Sequence, residues 1–300
     1  MPGLEIHPLS DLRGEAVALL AERFARQRAD EPLLPEIDDF EPHVPAGGLV
    51  ATRGGAAVAY LADESGGDVL RPGFAGHAAN EPEALRDLFA ALTADTHATR
   101  FSVAVPASEH EAIDAWFRLA FGCQFIWAVR ETDGESDVEV QLHNSLIRTG
   151  NPDDLRMVAR FDQILWAHQA RSPSFSGLDV PPLEEFEREW SDTWDDPETY
   201  PHFVAERDGR VVGHALLYRR PEGDLRVPHG NIDLAHAATL DDVRGTGVGL
   251  ALTAHVLRWA RQQGFRSMTT DWRSVNLLSS RFWTNRGFRP QYLRLYRAVP

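Results

Sequence analysis

The chain has 300 residues, 43% of them hydrophobic and 25% charged, a globular balance that excludes disordered and fibrous classes. A formal net charge of −15 opposes nonspecific nucleic-acid binding, and no apolar run approaches the roughly 20 residues that span a bilayer. Every basic side chain is arginine, which excludes a Schiff-base lysine or a P-loop lysine whatever the fold. The length predicts two domains of about 150 residues each. The opening MPGLEIHPLSDLRGE has no basic region followed by an apolar core, so no signal peptide is expected, and the cytoplasm is the expected compartment. One cysteine, Cys123, cannot form an internal disulfide. Between Phe121 and Phe125 it reads as a buried small residue, with a catalytic thiol as the alternative.

In chain order, the first half predicts a strand around Glu5–Pro8 and a helix over about Leu12–Gln27. Leu49–Thr52 and Ala56–Leu61 form a hairpin about Arg53-Gly54-Gly55. Asp68–Arg71 is a further strand candidate. Pro82 opens an amphipathic helix carrying Leu85, Leu88, Phe89 and Leu92. Phe101–Val105 is a strand, Glu109–Phe121 a helix and Gln124–Arg130 a strand. The acidic stretch from Glu131 to Asp137 reads as a solvated junction.

The second half repeats this order. Val138–Leu146 is a strand candidate, Pro152–His168 a helix, Pro173–Pro182 a loop and Leu183–Thr193 a helix. His202–Glu206 and Val211–Arg219 flank the turn Arg207-Asp208-Gly209-Arg210. Ile232–Thr239 is a strand, Gly249–Gln263 a helix, Arg266–Asp271 a strand, Leu277–Arg286 a helix and Gln291–Ala298 a closing strand. Alternating strands and helices predict an α/β layer architecture. The repeated order predicts two similar domains, 1–136 and 137–300; two unrelated α/β domains are the alternative.

Only the second half carries the run Arg244-Gly245-Thr246-Gly247-Val248-Gly249, between a strand and a helix whose apolar stripe is Leu250, Leu252, Val256, Leu257 and Ala260. Glycines at 245, 247 and 249 would let a phosphate reach first-turn amides, with the helix dipole adding attraction and Arg244 a direct contact. A purely structural turn is the alternative. The G-x-G-x-G spacing lacks the dinucleotide form G-x-G-x-x-G, and there is no Gly-Lys-Ser/Thr of a P-loop.

This run resembles the R/Q-x-x-G-x-G/A signature of the GNAT superfamily of N-acetyltransferases. The resemblance continues to Asn276, Phe282-Trp283 and Arg286-Gly287-Phe288, similar to the superfamily's second cofactor-side motif. It implies two tandem GNAT-like α/β domains, each a mixed, mainly antiparallel sheet flanked by helices, the first a degenerate copy. Ala75–Ala79 stands in the corresponding region of the first half without the signature, and Trp116–Gly122 echoes the second motif. The implied activity is acetyl transfer from acetyl-CoA to an amine in a ternary complex; a non-catalytic acyl-CoA-binding or regulatory protein is the alternative. The implied cofactor contacts are Thr239, Leu240, Arg244, Gly245, Thr246, Gly247, Val248, Gly249, Asn276, Ser279, Arg281 and Phe282. Expected partners are a small-molecule or peptide amine, with no nucleic acid or membrane; a homodimer is compatible with the reading.

The family commonly places a glutamate on the strand before the glycine run; here that strand holds Asp233 and His236. His236, with an ordinary pKa of about 6.5, is favoured as base, against a histidine hydrogen-bonded in the sheet. On a regular strand 233 and 236 face opposite sides, so only one reaches a cleft unless a bulge intervenes. The family's usual acid, a tyrosine on the last helix, is replaced by Trp283, whose indole cannot deliver a proton. Tyr292 and Tyr296 on the closing strand are substitutes, Tyr292 being preferred, with packing roles as the alternative. Asp271-Trp272-Arg273 either lines a substrate cleft or pairs locally around a core indole. The acids from Glu184 to Glu198 form either a solvated helix face or a wall that attracts a cationic amine. No histidine pattern predicts a metal.

Overall fold

The computed structural model describes residues 3–63, 69–94, 96–133, 145–174 and 179–299. Two compact units share the chain. One takes Met1–Ala128, Asp224–Pro228 and Pro290–Pro300; the other takes Val129–Gly223 and His229–Arg289.

In the first unit, β1 (Leu4–Pro8) leads into α1 (Arg13–Asp30). The hairpin β2 (Leu49–Arg53) and β3 (Ala56–Leu61) follows, then β4 (Val69–Leu70) and β5 (His77–Ala79). Next come α2 (Ala84–Thr93), β6 (Arg100–Pro106), α3 (His110–Arg118) and β7 (Gly122–Glu131), whose residues from Val129 onward belong to the second unit. Gly54 and Gly55 have φ of 59° and 85°, the two left-handed positions that a tight hairpin turn requires. Strands β1-β2-β3-β5 form an antiparallel sheet. Successive residues feed opposite faces: Val50 and Tyr60 pack with Leu20 and Phe24 of α1, while Ala51, Ala59 and Leu61 pack with Leu85 and Leu88 of α2.

One sequence correspondence changes. Ala75–Ala79 is not the counterpart of the glycine turn, because His77–Ala79 are strand residues paired with Ala59–Leu61. The connection from β5 into α2 is Asn80–Glu83, which contains no glycine.

In the second unit, β8 (Ser145–Thr149) is followed by α4 (Leu155–Ala170), α5 (Leu183–Ser191), β9 (His202–Arg207) and β10 (Arg210–Tyr218). The order then runs β11 (Asn231–Thr239), α6 (Val248–Gln262), β12 (Ser267–Arg273) and α7 (Leu277–Thr284). Of the strand expected over 138–146, residues 138–144 lie outside the described residues, and the strand that is seen begins at Ser145. Asn151 and Asp154 form a capping box that starts the helical segment, the Asn151 side chain accepting from the Asp153 amide and the Asp154 carboxylate from the Asn151 amide. Asp208 and Gly209, with φ of 50° and 74°, make the two-residue turn between β9 and β10.

Strand order here is β12-β11-β10-β9-β8, antiparallel except for the parallel pair β11–β12. Helices α4 and α5 cover one face, with Val158, Phe186 and Trp190 around Leu216. Helix α6 covers the other, with Val248 against Ala205 and Val212. At Gly213 a Cβ would lie 3.3 Å from both Thr239 and Val248, so the missing side chain lets α6 approach the sheet closely. The closing strand β13 (Arg289–Ala298) pairs antiparallel with β6, and from Pro290 onward it belongs to the first unit.

Candidate active site

The site begins with a defect in β11. Leu217 pairs with Leu234 and Leu216 with His236, leaving Ala235 as an extra, bulged residue. Directly opposed residues share a face. Tyr218 opposes Asp233, and Tyr218 and Leu216 lie two apart, so the bulge puts Asp233 and His236 on one face where a regular strand would separate them.

The bulge also marks where β11 leaves β12. Their parallel pairing runs along Asn231–Leu234 and Ser267–Thr270, yet β11 continues to Thr239 and β12 to Arg273. A cleft of about 490 Å³ lies there. Its walls are Leu234 and Ala237–Thr239 of β11, the turn and first half of α6, residues Asn276 to Trp283 of α7, and Ile164, Leu165 and His168 of α4.

The glycine run forms one wall, and its conformation fits an anionic ligand. Gly245 and Gly247 have φ of 75° and 89°, where an L side chain is strained. Gly247 is the N-cap of α6 and offers no side-chain acceptor, so the first-turn amides carry no cap from it. At Gly249 a Cβ would stand 3.8 Å from Phe282 and Thr239, ordinary contact distance. The protein itself therefore tolerates a side chain at 249, whereas a ligand lying against the amides would not.

Three arginines surround this turn in an otherwise acidic chain. Arg244 pairs with Asp241 at 2.8 Å, Arg207 donates to the Thr246 hydroxyl at 3.1 Å, and Arg210 pairs with Asp242. Arg207 is a candidate that local sequence does not signal, since it lies 39 residues from Thr246 and reaches the turn only through the sheet.

Of the expected cofactor contacts, Thr239, Arg244, Gly245, Gly247, Val248, Gly249, Asn276, Ser279 and Phe282 line the cleft; Leu240, Thr246 and Arg281 do not. Arg281 is exposed on α7. Asn276 caps that helix, its side chain accepting from the Ser279 amide. Trp283 is buried in the cleft wall.

The candidate proton-transfer residues separate. Asp233 is buried, held by Arg220 at 2.6 and 2.9 Å and by the Thr269 hydroxyl at 2.7 Å, and it does not line the cleft. Its carboxylate is committed to holding β11, β12 and Arg220 together. Tyr292 is corrected as well: it is fully buried in the first unit, its hydroxyl bonded to Gln27, and it is not among the cleft's lining residues. Trp272 is a core indole flanked by an exposed Asp271. Glu184, Glu185 and Glu189 are exposed on α5, away from the cleft lining, as a solvated helix face would have them.

His236 stands in a buried polar row crossing three strands. His236 Nδ1 lies 3.3 Å from His214 Nδ1, His214 Nε2 lies 3.1 Å from His202 Nδ1, and His202 Nε2 lies 3.0 Å from the Thr193 hydroxyl. Burial lowers His236 and His202 to about 4 and holds His214 well below its ordinary value. At the other end, His236 Nε2 has no hydrogen-bond partner among the described residues and faces Asp162 Oδ1 of α4 at 3.9 Å. Burial raises the Asp162 pKa, against a hydrogen bond donated by Trp190 Nε1 to Oδ2 at 2.9 Å. Among the described residues no group of His, Cys, Asp and Glu could hold a metal ion, and no helix is long and apolar enough to cross a membrane.

Nearly all of this cleft, set where β11 parts from β12 beside the bulge and walled by a glycine turn, lies within residues 165–288, which match the model of the Acetyltransferase (GNAT) family. The match covers most of the second unit, and the chain has the fold of tandem GNAT proteins. It is similar to a GCN5-related N-acetyltransferase from Sphaerobacter thermophilus at 16% identity, TM-score 0.61, over 99% of this chain and 96% of that one. It is also similar to a tandem GNAT protein from the clavulanic acid biosynthesis pathway at 14% identity, TM-score 0.52, over 99% of each chain. At such identities the likeness concerns the fold. No curated protein matches the sequence.

Proposed function

We propose that the second unit binds acetyl-CoA and transfers its acetyl group directly to an amine in a ternary complex. The observation that carries this is the cleft itself, where uncapped first-turn amides and positive-φ glycines meet the bulged end of β11. The amides of Val248–Leu250, the α6 dipole and Arg244 would hold the pyrophosphate, with Arg207 adding charge. Residues Ala237–Thr239, which lie beyond the part of β11 paired with β12, would align the pantetheine arm, with Asn276 and Phe282 across from them.

When bound, acetyl-CoA supplies a thioester carbonyl on which the amine nitrogen forms a bond as the carbon–sulfur bond breaks, its electron pair going to sulfur. One proton must then leave nitrogen for sulfur or solvent. His236 is the proposed acceptor of that proton. With its pKa lowered to about 4 it stays neutral at pH 7 and keeps a lone pair available. The presence of Trp283 at the family's tyrosine position favours a second reading, a non-catalytic acyl-CoA-binding protein.

Calorimetric titration with acetyl-CoA and a CoA-release assay over a panel of primary amines separate the two. The proposal expects one acetyl-CoA bound per chain and turnover with at least one amine class. Binding without turnover would favour the second reading, and no binding would remove both.

A further inference from the structure

Resting on the acyl-transfer reading, we propose that Asp162 and His236 act as one proton-accepting pair, and that His214, His202 and Thr193 are positioning residues that fix the tautomer of His236 so that its Nε2 is bare. The bond directions follow from the donors. The Thr193 hydroxyl donates to the Trp190 carbonyl at 2.6 Å, so it can only accept from His202, which must carry its proton on Nε2. A neutral imidazole has one donor and one acceptor, so His202 Nδ1 accepts from His214 Nε2–H. His214 Nδ1 then accepts from His236 Nδ1–H, and the lone pair of His236 is left on Nε2.

That lone pair points at a carboxylate. Asp162 Oδ2 is occupied by Trp190 Nε1–H, while Oδ1 faces His236 Nε2. With that tautomer, Nε2 and Oδ1, 3.9 Å apart, both present lone pairs, so the pair is ready to take up one proton, the state a base must be in before reaction. The Trp190 ring, 5.2 Å from His236, packs edge-on against this pair and helps keep it dry.

The surroundings place the pair beside the proposed reaction. Neither member lines the cleft itself, but Ala238, two residues beyond His236 and on its face of the sheet, does, as do Ile164 and Leu165, two and three residues beyond Asp162. The Asp162 side chain keeps 16% exposure whereas His236 is enclosed. Asp162 is therefore the member that meets the acceptor nitrogen. The proton leaves that nitrogen for Oδ1 and is shared with His236 Nε2, and the pair returns it to the departing sulfur. One N–H bond breaks and one S–H bond forms, with no other reactant needed.

Nitrogen NMR on the full chain with labelled histidine tests the tautomer without any substrate. His236 is expected to show Nδ1 protonated and Nε2 unprotonated at pH 7. His214→Phe, which removes the acceptor, and Thr193→Val, which removes the terminal one at a half-buried site, should both move protonation toward Nε2. In turnover, His214→Phe should lower kcat by about 100-fold with the KM for acetyl-CoA unchanged, and His214→Asn, which keeps an acceptor at that position, should restore most of it. Asp162→Asn should lower kcat similarly and shift the acid limb of the kcat–pH profile. The charged and titratable groups facing the row are Asp162 from α4, Asp154 before α4, and the three histidines on β9, β10 and β11. A protonated Nε2 in the wild type, or a His214→Phe variant with wild-type kcat and pH profile, would overturn the inference while leaving acyl transfer intact. A wild type that turns over no amine would overturn both.

Discussion

His236 is an ordinary strand histidine by sequence, and its surroundings give it chemical meaning. Buried and lowered to about 4, it stays neutral, and so an acceptor, well below its ordinary titration range. His236→Ala should therefore lower kcat by about 100-fold and leave the acetyl-CoA Kd nearly unchanged, which steady-state kinetics beside calorimetry would read; equal turnover would remove His236 from the mechanism. The residue type and position were legible because a titratable side chain stood on the strand before the glycine run. Its partners were not. Asp162 lies 74 positions earlier within a helix whose neighbours Val158 and Phe161 signal only packing. A hint to His214 existed: counting back from the tight Asp208-Gly209 turn brings His202 to a diagonal position beside it, since His214 opposes Val204 and Leu216 opposes His202. Tyr292 failed as a candidate because sequence proximity to the last helix says nothing about the sheet that β13 joins.

At the scale of elements, the turn into α6 separates two uses of glycine. Gly247 has a left-handed φ of 89°, so Gly247→Val should destabilise the fold by about 1–2 kcal/mol as well as weaken binding. Gly249 has no such constraint, and its absent side chain would touch only Phe282 and Thr239 at 3.8 Å. Gly249→Val should therefore cut acetyl-CoA affinity by about tenfold or more, close to 1.4 kcal/mol, with an unchanged Tm. A loss of Tm equal to that of Gly247→Val would mean that the glycine serves the fold rather than a ligand. This element was readable in advance since glycine spacing, a preceding strand and an amphipathic helix are all local. The bulge at Ala235 was not, because a bulge is a mismatch between two strands, and β10 supplies the other half of it.

For the whole molecule, buried neutral histidines make stability depend on pH. His77 is lowered to about 3, His202 and His236 to about 4, and His214 well below its ordinary value, all chiefly by burial. In each case the unfolded chain takes up a proton near pH 6.5 that the folded chain refuses, so this contribution is complete above about pH 6.5 and is lost as pH falls toward 4. Asp162, raised by burial, works in the opposite sense, but it is one group against these four histidines and His255, which burial also lowers. Thermal unfolding should show a Tm falling steadily between about pH 6.5 and pH 4; a flat Tm across that range would show that the histidines are hydrated in the folded state.

By itself the sequence determined what short-range chemistry can encode: hairpin turns at Gly54-Gly55 and Asp208-Gly209, helices with apolar stripes, a phosphate-suited turn at Arg244–Gly249, and a second half that carries this turn while the first does not. Such features depend on φ preferences and periodicity within a few residues of each other. Tertiary structure alone decided that β13 completes the first unit, that Asp233 is spent on Arg220 and Thr269, and that His202, His214 and His236 form one row ending at Asp162. The physical reason is the same each time: strands are joined sideways, so the register between distant segments, and not their order in the chain, sets which polar groups meet.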